Sequence, residues 1–92
     1  MEGHGFVSPE VVARYARDAA QGVEGVTRIV DGVRKGVRLE DDTIELHLAV
    51  GWGASIPELG TAVQRAVADY LARMTDVRPA AVNVVVEEVD AA

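Results

Sequence analysis

Apolar residues recur at two different spacings along this 92-residue chain, and the spacings separate predicted helices from predicted strands. Two segments follow the 3.6-residue period of an amphipathic helix, one beginning near residue 9 and one over residues 56–74. Two other segments, residues 44–50 and 82–87, alternate apolar and polar side chains, as a strand with one buried face does. The pattern therefore predicts a mixed α/β protein.

The ends of both helices carry residues that favour helix initiation or termination. Ser8 can cap the first helix, and Pro9 suits its first position because the missing N–H costs nothing there. Gly22 is expected to end this helix in the left-handed conformation. Ser55 and Glu58 have the spacing of a capping box, which predicts the start of the second helix.

Three strands are expected in addition to the helices. Residues 26–39 are rich in β-branched side chains but contain Gly32 and Gly36, which predicts a strand with a bulge or bend. The acidic segment 40–42 should turn the chain into the strand 44–50, so that these two strands form a hairpin. The last strand is expected over residues 77–89.

The predicted order of elements is helix, strand, strand, helix, strand. Three strands with one apolar face and two amphipathic helices favour a two-layer α/β sandwich, in which both helices cover one face of a three-stranded sheet. Residues 1–7 are interpreted as a flexible lead-in and residues 8–90 as a single domain.

Composition narrows the classes of partner and location. Nine basic and fifteen acidic residues give a formal charge of −6, which excludes DNA as an expected partner and weighs against RNA. Without cysteine there can be no disulfide or thiolate site, and the redox compartment is left open. No apolar stretch approaches the ~20 residues of a membrane-spanning helix. We therefore expect a cytoplasmic protein, which an anchor protein could hold as a peripheral protein at the inner face of the membrane.

Side chains with catalytic or metal-binding potential are few. Ser8 and Ser55 are interpreted as helix caps, and no motif sets a nucleophile beside a base. His4 lies in the lead-in, and His47 is expected on the outer, solvent-facing side of a strand beside Glu45, so no third ligand completes a zinc site. We expect no catalytic residue, no metal site and no cofactor.

The segment GWGAS, residues 51–55, has two interpretations that the sequence leaves open. Trp52 could pack over the end of the sheet and close the core, or it could be an exposed anchor for a partner. Anion binding is disfavoured, since the segment lacks a dinucleotide motif and a P-loop lysine, and Glu58 follows it.

Charge is distributed unevenly along the chain. Four of the nine basic residues fall within positions 28–38, whereas acidic residues crowd positions 87–90. The basic hairpin could be a solvated face, or it could meet anionic lipid, RNA or the acidic edge of another copy. The candidate partner surface comprises Trp52, Arg28, Arg34, Lys35, Arg38, His47 and Val85.

Four segments carry a resemblance to a known family: GVEGV (22–26), VGWGASIPEL (50–59), VQRAVADYLARMTDV (63–77) and VNVVVEEV (82–89). They resemble the glycine-valine turn, the aromatic-glycine turn, the second helix with its Met-Thr turn, and the final strand of the alkaline shock protein family of bacterial envelope stress-response proteins. Trp52 stands where the family more often has tyrosine, and Asp76 where glycine is common.

The resemblance implies a non-enzymatic protein that is abundant or induced under envelope stress. It also implies self-assembly and attachment to the membrane through a separate anchor protein. The family has no agreed catalytic or ligand-binding residues, so the resemblance assigns none here.

An interaction or scaffolding module of the cell envelope is therefore the leading functional expectation. The alternative is a small KH-like RNA-binding module, although the chain lacks a GXXG loop between two helices. A small enzyme or metal-binding accessory would need an unexpected site near Trp52 or His47.

Overall fold

Two helices pack on one face of a sheet in this protein. The structure is a computed structural model that describes residues 8–30, 37–40 and 42–91, with the backbone alone described for 37–40. The elements are α1 (Pro9–Gln21), β1 (Val26–Ile29), β2 (Val37–Glu40), β3 (Thr43–Gly51), α2 (Ile56–Met74) and β4 (Ala81–Asp90).

β3 is the central strand of the sheet. β1 and β2 pair antiparallel with successive parts of β3, at residues 48–50 and 43–46 respectively, whereas β4 pairs parallel along its whole length. A strand has only two edges, so β1 and β2 share one edge of β3 and β4 takes the other. The sheet therefore has three rows, and the predicted two-layer sandwich of order α-β-β-α-β is confirmed.

The first row of the sheet matches the interrupted strand that the sequence predicts. β1 and β2 are its two parts, and Gly32 and Gly36 lie outside the described residues. The predicted hairpin is confirmed, because Glu40 of β2 pairs with Thr43 at the start of β3.

β4 begins four residues later than expected. The N–H of Val77 donates to the side-chain oxygen of Thr75, and Pro79 has no N–H to contribute. The N–H of Ala80 then donates to the carbonyl of Asp42 at 2.8 Å, and the ladder to β3 begins at Ala81. Residues 77–80 are therefore a connection rather than strand.

The helix ends agree only in part with the sequence prediction. The predicted Ser8 cap is confirmed, since its hydroxyl accepts from the N–H of Val11 at 3.3 Å, with Pro9 following. The left-handed terminator at Gly22 is wrong: its φ is −79°, and its N–H donates to carbonyls of the last helical turn. The capping box is also wrong, because Ser55 is the N-cap residue of α2 but its side chain makes no cap hydrogen bond.

The core lies between the sheet and the two helices. Ala16 and Ala20 of α1 are fully buried, so this helix approaches its neighbours closely. Tyr15 of α1 meets Tyr70 of α2 edge to face, with ring centroids 5.6 Å apart. Alternate residues of β3 and a stripe along α2 supply most of the remaining core: Ile44, Leu46, Leu48, Val50, Leu59, Val63, Val67 and Leu71.

The second face of β3 differs from its predicted solvent exposure. His47 and Ala49 point away from the helices, as the alternation predicts, yet His47 is 5% exposed and Ala49 is fully buried. Polar side chains from neighbouring strands cover them, as the site geometry makes clear.

Candidate functional site

Trp52 is the most exposed large apolar side chain among the described residues. It retains 76% of its accessible surface, which rules out the interpretation that it closes the core. Ile56, at the start of α2, is 45% exposed. An indole this accessible is available to contact another molecule.

Backbone hydrogen bonds hold the turn that carries Trp52. The N–H of Trp52 donates to the carbonyl of Asp90 at 3.0 Å, and the N–H of Gly51 donates to that of Gly25 at 2.9 Å. The N–H of Ala54 closes the turn on Gly51 at 3.2 Å. Gly53 supplies a φ of +90°, a value that other residues rarely adopt. The turn is thus tied to β4 and to the segment before β1.

A surface cleft of about 500 Å³ lies beside this turn. Trp52, Ala54 and Leu59 give it apolar walls, and Glu24 and Glu58 add two carboxylates. Of the residues that the structure describes, no histidine, lysine or arginine lines this cleft. Such a cleft suits an apolar group or a cation, and its carboxylates repel phosphate.

His47 lies on the outer face of the sheet between two carboxylates. Its Nδ1 is 2.5 Å from Oε2 of Glu87. An ionised carboxylate can only accept a hydrogen bond, so when Glu87 is ionised the imidazole donates through its Nδ1–H. Its Nε2 is 3.3 Å from Oε1 of Glu45, but among the described residues this buried nitrogen has no hydrogen-bond partner. These two atoms form an ion pair only when His47 is protonated, and no hydrogen bond joins them.

Arg28 spans the outer face from β1 to β4. Its Nη2 lies 2.5 Å from Oε1 of Glu88 and 3.3 Å from Oδ1 of Asp90. Ala49 is the residue of β3 that pairs with both Arg28 and Glu88, so the ion pair passes over the small, buried alanine. The hydroxyl of Thr27 donates to Oδ2 of Asp90 at 2.6 Å. We call Thr27, Arg28, Glu88 and Asp90 the β1–β4 clasp.

Both charged ends of the clasp have displaced pKa values. The hydrogen bond with Glu88, with support from the charge of Asp90, raises the pKa of Arg28 above its ordinary value. The hydrogen bond from Thr27 is the main reason that the pKa of Asp90 lies below its ordinary value. Burial opposes this shift, and the charge of Arg28 adds to it.

The structure places the predicted surface residues in separate groups. Arg28, His47 and Val85 share the outer face, where Val85 pairs with His47 and is half-buried. Trp52 lies at the end of the sheet, linked to the clasp through the carbonyl of Asp90. The side chain of Arg38, and both Arg34 and Lys35, lie outside the described residues. Arg28 contacts the protein's own carboxylates rather than standing free for a partner.

The sequence prediction missed the partners of these residues. The contact between Glu87 and His47 was not predicted. Opposite charges in β1 and β4 were the available signal, since Arg28 meets Glu88 and Asp90. The parallel register that brings them together could not be read from the residues.

The described residues offer little catalytic or metal-binding chemistry. His47 and Glu87 resemble a base with its orienting carboxylate, yet Nε2 is buried and no described hydroxyl is bonded to it. No group of three or more histidine or acidic residues within the described ranges could hold a metal ion. Among the same residues, no helix is both long and apolar enough to cross a membrane.

Comparison with known proteins gives a match from the last residue of β1 onward. The model of the alkaline shock protein 23 family, described as having a cell envelope-related function, matches residues 29–91. This match includes β2, β3, α2 and β4, together with the GWGAS turn. The family is not a known enzyme family. Neither the curated proteins nor the solved structures compared with the chain gave a match. The chain therefore belongs to the alkaline shock protein 23 family, which has a cell envelope-related function.

Proposed function

We propose that this protein is a non-enzymatic interaction and scaffolding module of the envelope stress response, which associates with itself and is held near the membrane by a separate anchor protein. The observation that carries this proposal is the exposed Trp52, 76% accessible on a turn that backbone hydrogen bonds tie to β4. A large aromatic side chain on a tethered turn loses little conformational entropy when a partner covers it.

Trp52 has neighbours that would enlarge such a contact. Ile56 is 45% exposed and is the first residue of α2, just after the turn that carries Trp52, and Leu59 adds a further apolar wall to the cleft beside Trp52. Burying an indole and an isoleucine at the centre of an interface is the pattern of a binding hot spot. These features support a protein partner with an apolar side chain to insert.

Charge near Trp52 favours one chemistry in the partner. Glu24 and Glu58 line the cleft, and the chain carries a formal charge of −6. Basic side chains around an apolar anchor would complement this surface, whereas the phosphates of RNA would be repelled. The carboxylates therefore support an anchor protein with a basic segment over the KH-like RNA-binding alternative.

Site-specific photocrosslinking in cells under envelope stress tests the proposed contact. A photoreactive phenylalanine analogue at position 52 is expected to give a covalent adduct with an integral membrane protein, identified by mass spectrometry. The same analogue at position 74 is the matched control, because Met74 is also exposed, at 48%, but lies at the opposite end of α2. Adducts with RNA, or none with a membrane protein, would contradict the proposal.

The substitution Trp52→Ala tests whether this side chain is needed for partner binding or for folding stability. Because the side chain is largely exposed, we expect its removal to change the free energy of unfolding by less than about 1 kcal/mol. The same variant should be lost from the membrane fraction of stressed cells, whereas Met74→Ala should still be recovered in that fraction. A variant that unfolds, or one that still sediments with membranes, would count against Trp52 as the anchor.

A further inference from the structure

β4 has one edge without a strand partner in the part of the chain that the structure describes. It pairs with β3 along its other edge, from Ala81 to Asp90. Gln64 of α2 donates its side-chain amide to the carbonyl of Val82 at 2.9 Å. An edge strand presents backbone N–H and C=O groups that can pair with another strand.

The first six residues of β4, AVNVVV, have no feature that would prevent such pairing. They include no charged residue and no proline, which are common protections of an exposed edge. Protection begins only after Val86, where the register to β3 shifts and Glu87 and Glu88 follow. Apart from the carbonyl of Val82, which accepts from Gln64, residues 81–86 thus form a strand edge open to a partner.

We propose that a second copy of this chain pairs with this edge, β4 to β4 and antiparallel, about a two-fold axis at Val84. This inference rests on the self-association in the proposed function and names its surface. In this arrangement Val82 lies opposite Val86 of the second copy, and Asn83 opposite its Val85. Every opposed pair from 82 to 86 is then uncharged and on matching faces of the sheet.

Charge determines the direction of pairing. A parallel, in-register pair would set Glu87, Glu88 and Asp90 of the two copies side by side, which is destabilising. The antiparallel pair separates these acidic ends. In the same register, Asp90 of each copy lies opposite the exposed Arg78 of the other copy, just before its β4, so opposite charges face each other.

The surface beside the edge also favours a second copy. A cleft of about 200 Å³ separates the first half of α2 from β4, and Ile56, Gly60 and Val86 are among its lining residues. Ile56 is 45% exposed, and Val84 and Val86 are half-buried. Docking of the second copy would cover apolar surface in addition to pairing the backbone.

A charge-swap experiment tests both the surface and the register. Asn83→Lys with Val85→Lys places like charges opposite each other twice across the axis, so the dissociation constant of the dimer should rise by roughly tenfold or more. Asn83→Glu with Val85→Glu should have the same effect. Mixing the two double variants should restore the dimer, because each introduced lysine then faces an introduced glutamate.

Sedimentation velocity over a range of concentrations reads out the association. The matched control is Ala72→Lys with Met74→Lys, which adds the same charge at exposed positions on α2 away from the edge and should dimerise like the natural chain. Circular dichroism melting checks that each variant is folded. Asn83 is exposed and Val85 half-buried on the outer face, so the lysine variant should keep its fold.

The outcomes separate this inference from the proposed function. Loss of the dimer in each double variant with recovery in the mixture would support the β4 edge as the interface. If the double variants dimerise as well as the natural chain does, the inference is overturned, although self-association itself still stands. A natural chain that stays monomeric at all concentrations would overturn both, whereas failure of the Trp52 crosslink alone would not touch the β4 edge.

Discussion

Gly25 is the residue whose backbone and packing both require glycine. Its φ is +102°, and a Cβ at this position would lie 2.6 Å from Cδ1 of Leu59 in α2. Gly53 shares the positive φ, at +90°, but a Cβ there meets nothing within 4 Å. Gly60 lies inside α2 with open space around it. A side chain would therefore meet both backbone strain and crowding at Gly25, strain alone at Gly53, and neither at Gly60.

Replacing each glycine by alanine should therefore give three different results. Gly25→Ala is expected to lower the free energy of unfolding by about 2 to 4 kcal/mol, from strain and overpacking together. Gly53→Ala should cost about 1 to 2 kcal/mol from strain alone. Gly60→Ala should stabilise by about 0.5 to 1 kcal/mol, because alanine is the better helix former. Urea denaturation measures all three, and equal losses at 25 and 53 would mean that Leu59 moves aside.

Gly25 also shows what a sequence can predict at this scale. The segment GVEG offers two glycines, and the helical pattern ends at the first, so Gly22 is the natural choice for a left-handed residue. The structure gives that conformation to Gly25, the residue immediately before β1. A side chain at Gly25 would also meet Leu59 of α2, a neighbour that no local pattern contains.

The two helices begin in different ways although serine precedes both. Ser8 accepts from the N–H of Val11 through its hydroxyl, whereas Ser55 makes no side-chain cap bond. The backbone carbonyls do not differ in this way, since that of Ser8 accepts from the N–H of Val12 at 3.1 Å and that of Ser55 from the N–H of Leu59 at 2.8 Å. Loss of the hydroxyl should therefore matter only at the first helix.

Ser8→Ala is expected to lower the free energy of unfolding by about 1 kcal/mol, as for a helix that loses its capping hydrogen bond. Ser55→Ala should change it by less than about 0.5 kcal/mol. Chemical denaturation of both variants side by side makes the comparison. A similar loss at Ser55 would show that its hydroxyl caps α2 in solution.

At the scale of elements, the spacing of apolar residues correctly predicted the strand and the helix that each bury one face. The alternation in 44–50 and the helical stripe in 56–74 both report a face turned to the core, and both elements are found there. On the opposite face, His47 is buried because Glu45 and Glu87 surround it. Periodicity could not predict this burial, since it reports only the face turned to the core. It also placed the start of the last strand too early, since Thr75 and Asp42 bond the connecting residues.

The β1–β4 clasp joins distant parts of the whole molecule. Thr27 and Asp90 are 63 residues apart in sequence, and their side chains meet at 2.6 Å. Because the pKa of Asp90 is lower in the folded protein, its contribution to stability is fully present above the unfolded pKa. That contribution is lost as pH falls through the folded pKa, which lies below the ordinary value for an aspartate.

Thr27→Val should move the carboxyl titration of Asp90 to higher pH, because it removes the hydrogen bond that contributes most to the shift. The acid-induced loss of stability that this group causes should shrink accordingly. Carbon-13 NMR of the carboxyl group follows the titration directly. Thr61→Val is the matched control, since its hydroxyl donates to the carbonyl of Pro57 within α2 and should leave Asp90 unchanged. An unmoved midpoint in Thr27→Val would exclude the hydroxyl as the cause.

The overall architecture followed from the sequence because three apolar strand faces and two helical stripes have few ways to cover one another. The exposure of Trp52 did not, since a tryptophan between two glycines can turn either toward the core or away from it. The turn that carries it is bonded through the N–H of Trp52 to the carbonyl of Asp90, a residue from the last strand that no local pattern includes.

The central place of β3 has a consequence for the order in which the protein is made. β3 receives β4 on one whole edge, but β4 follows α2 in the chain. The ribosome therefore synthesises β3 before the strand that covers that edge, and this edge of β3 stays unpaired until β4 has also been made. A chaperone that shields extended segments would have its best opportunity in that interval.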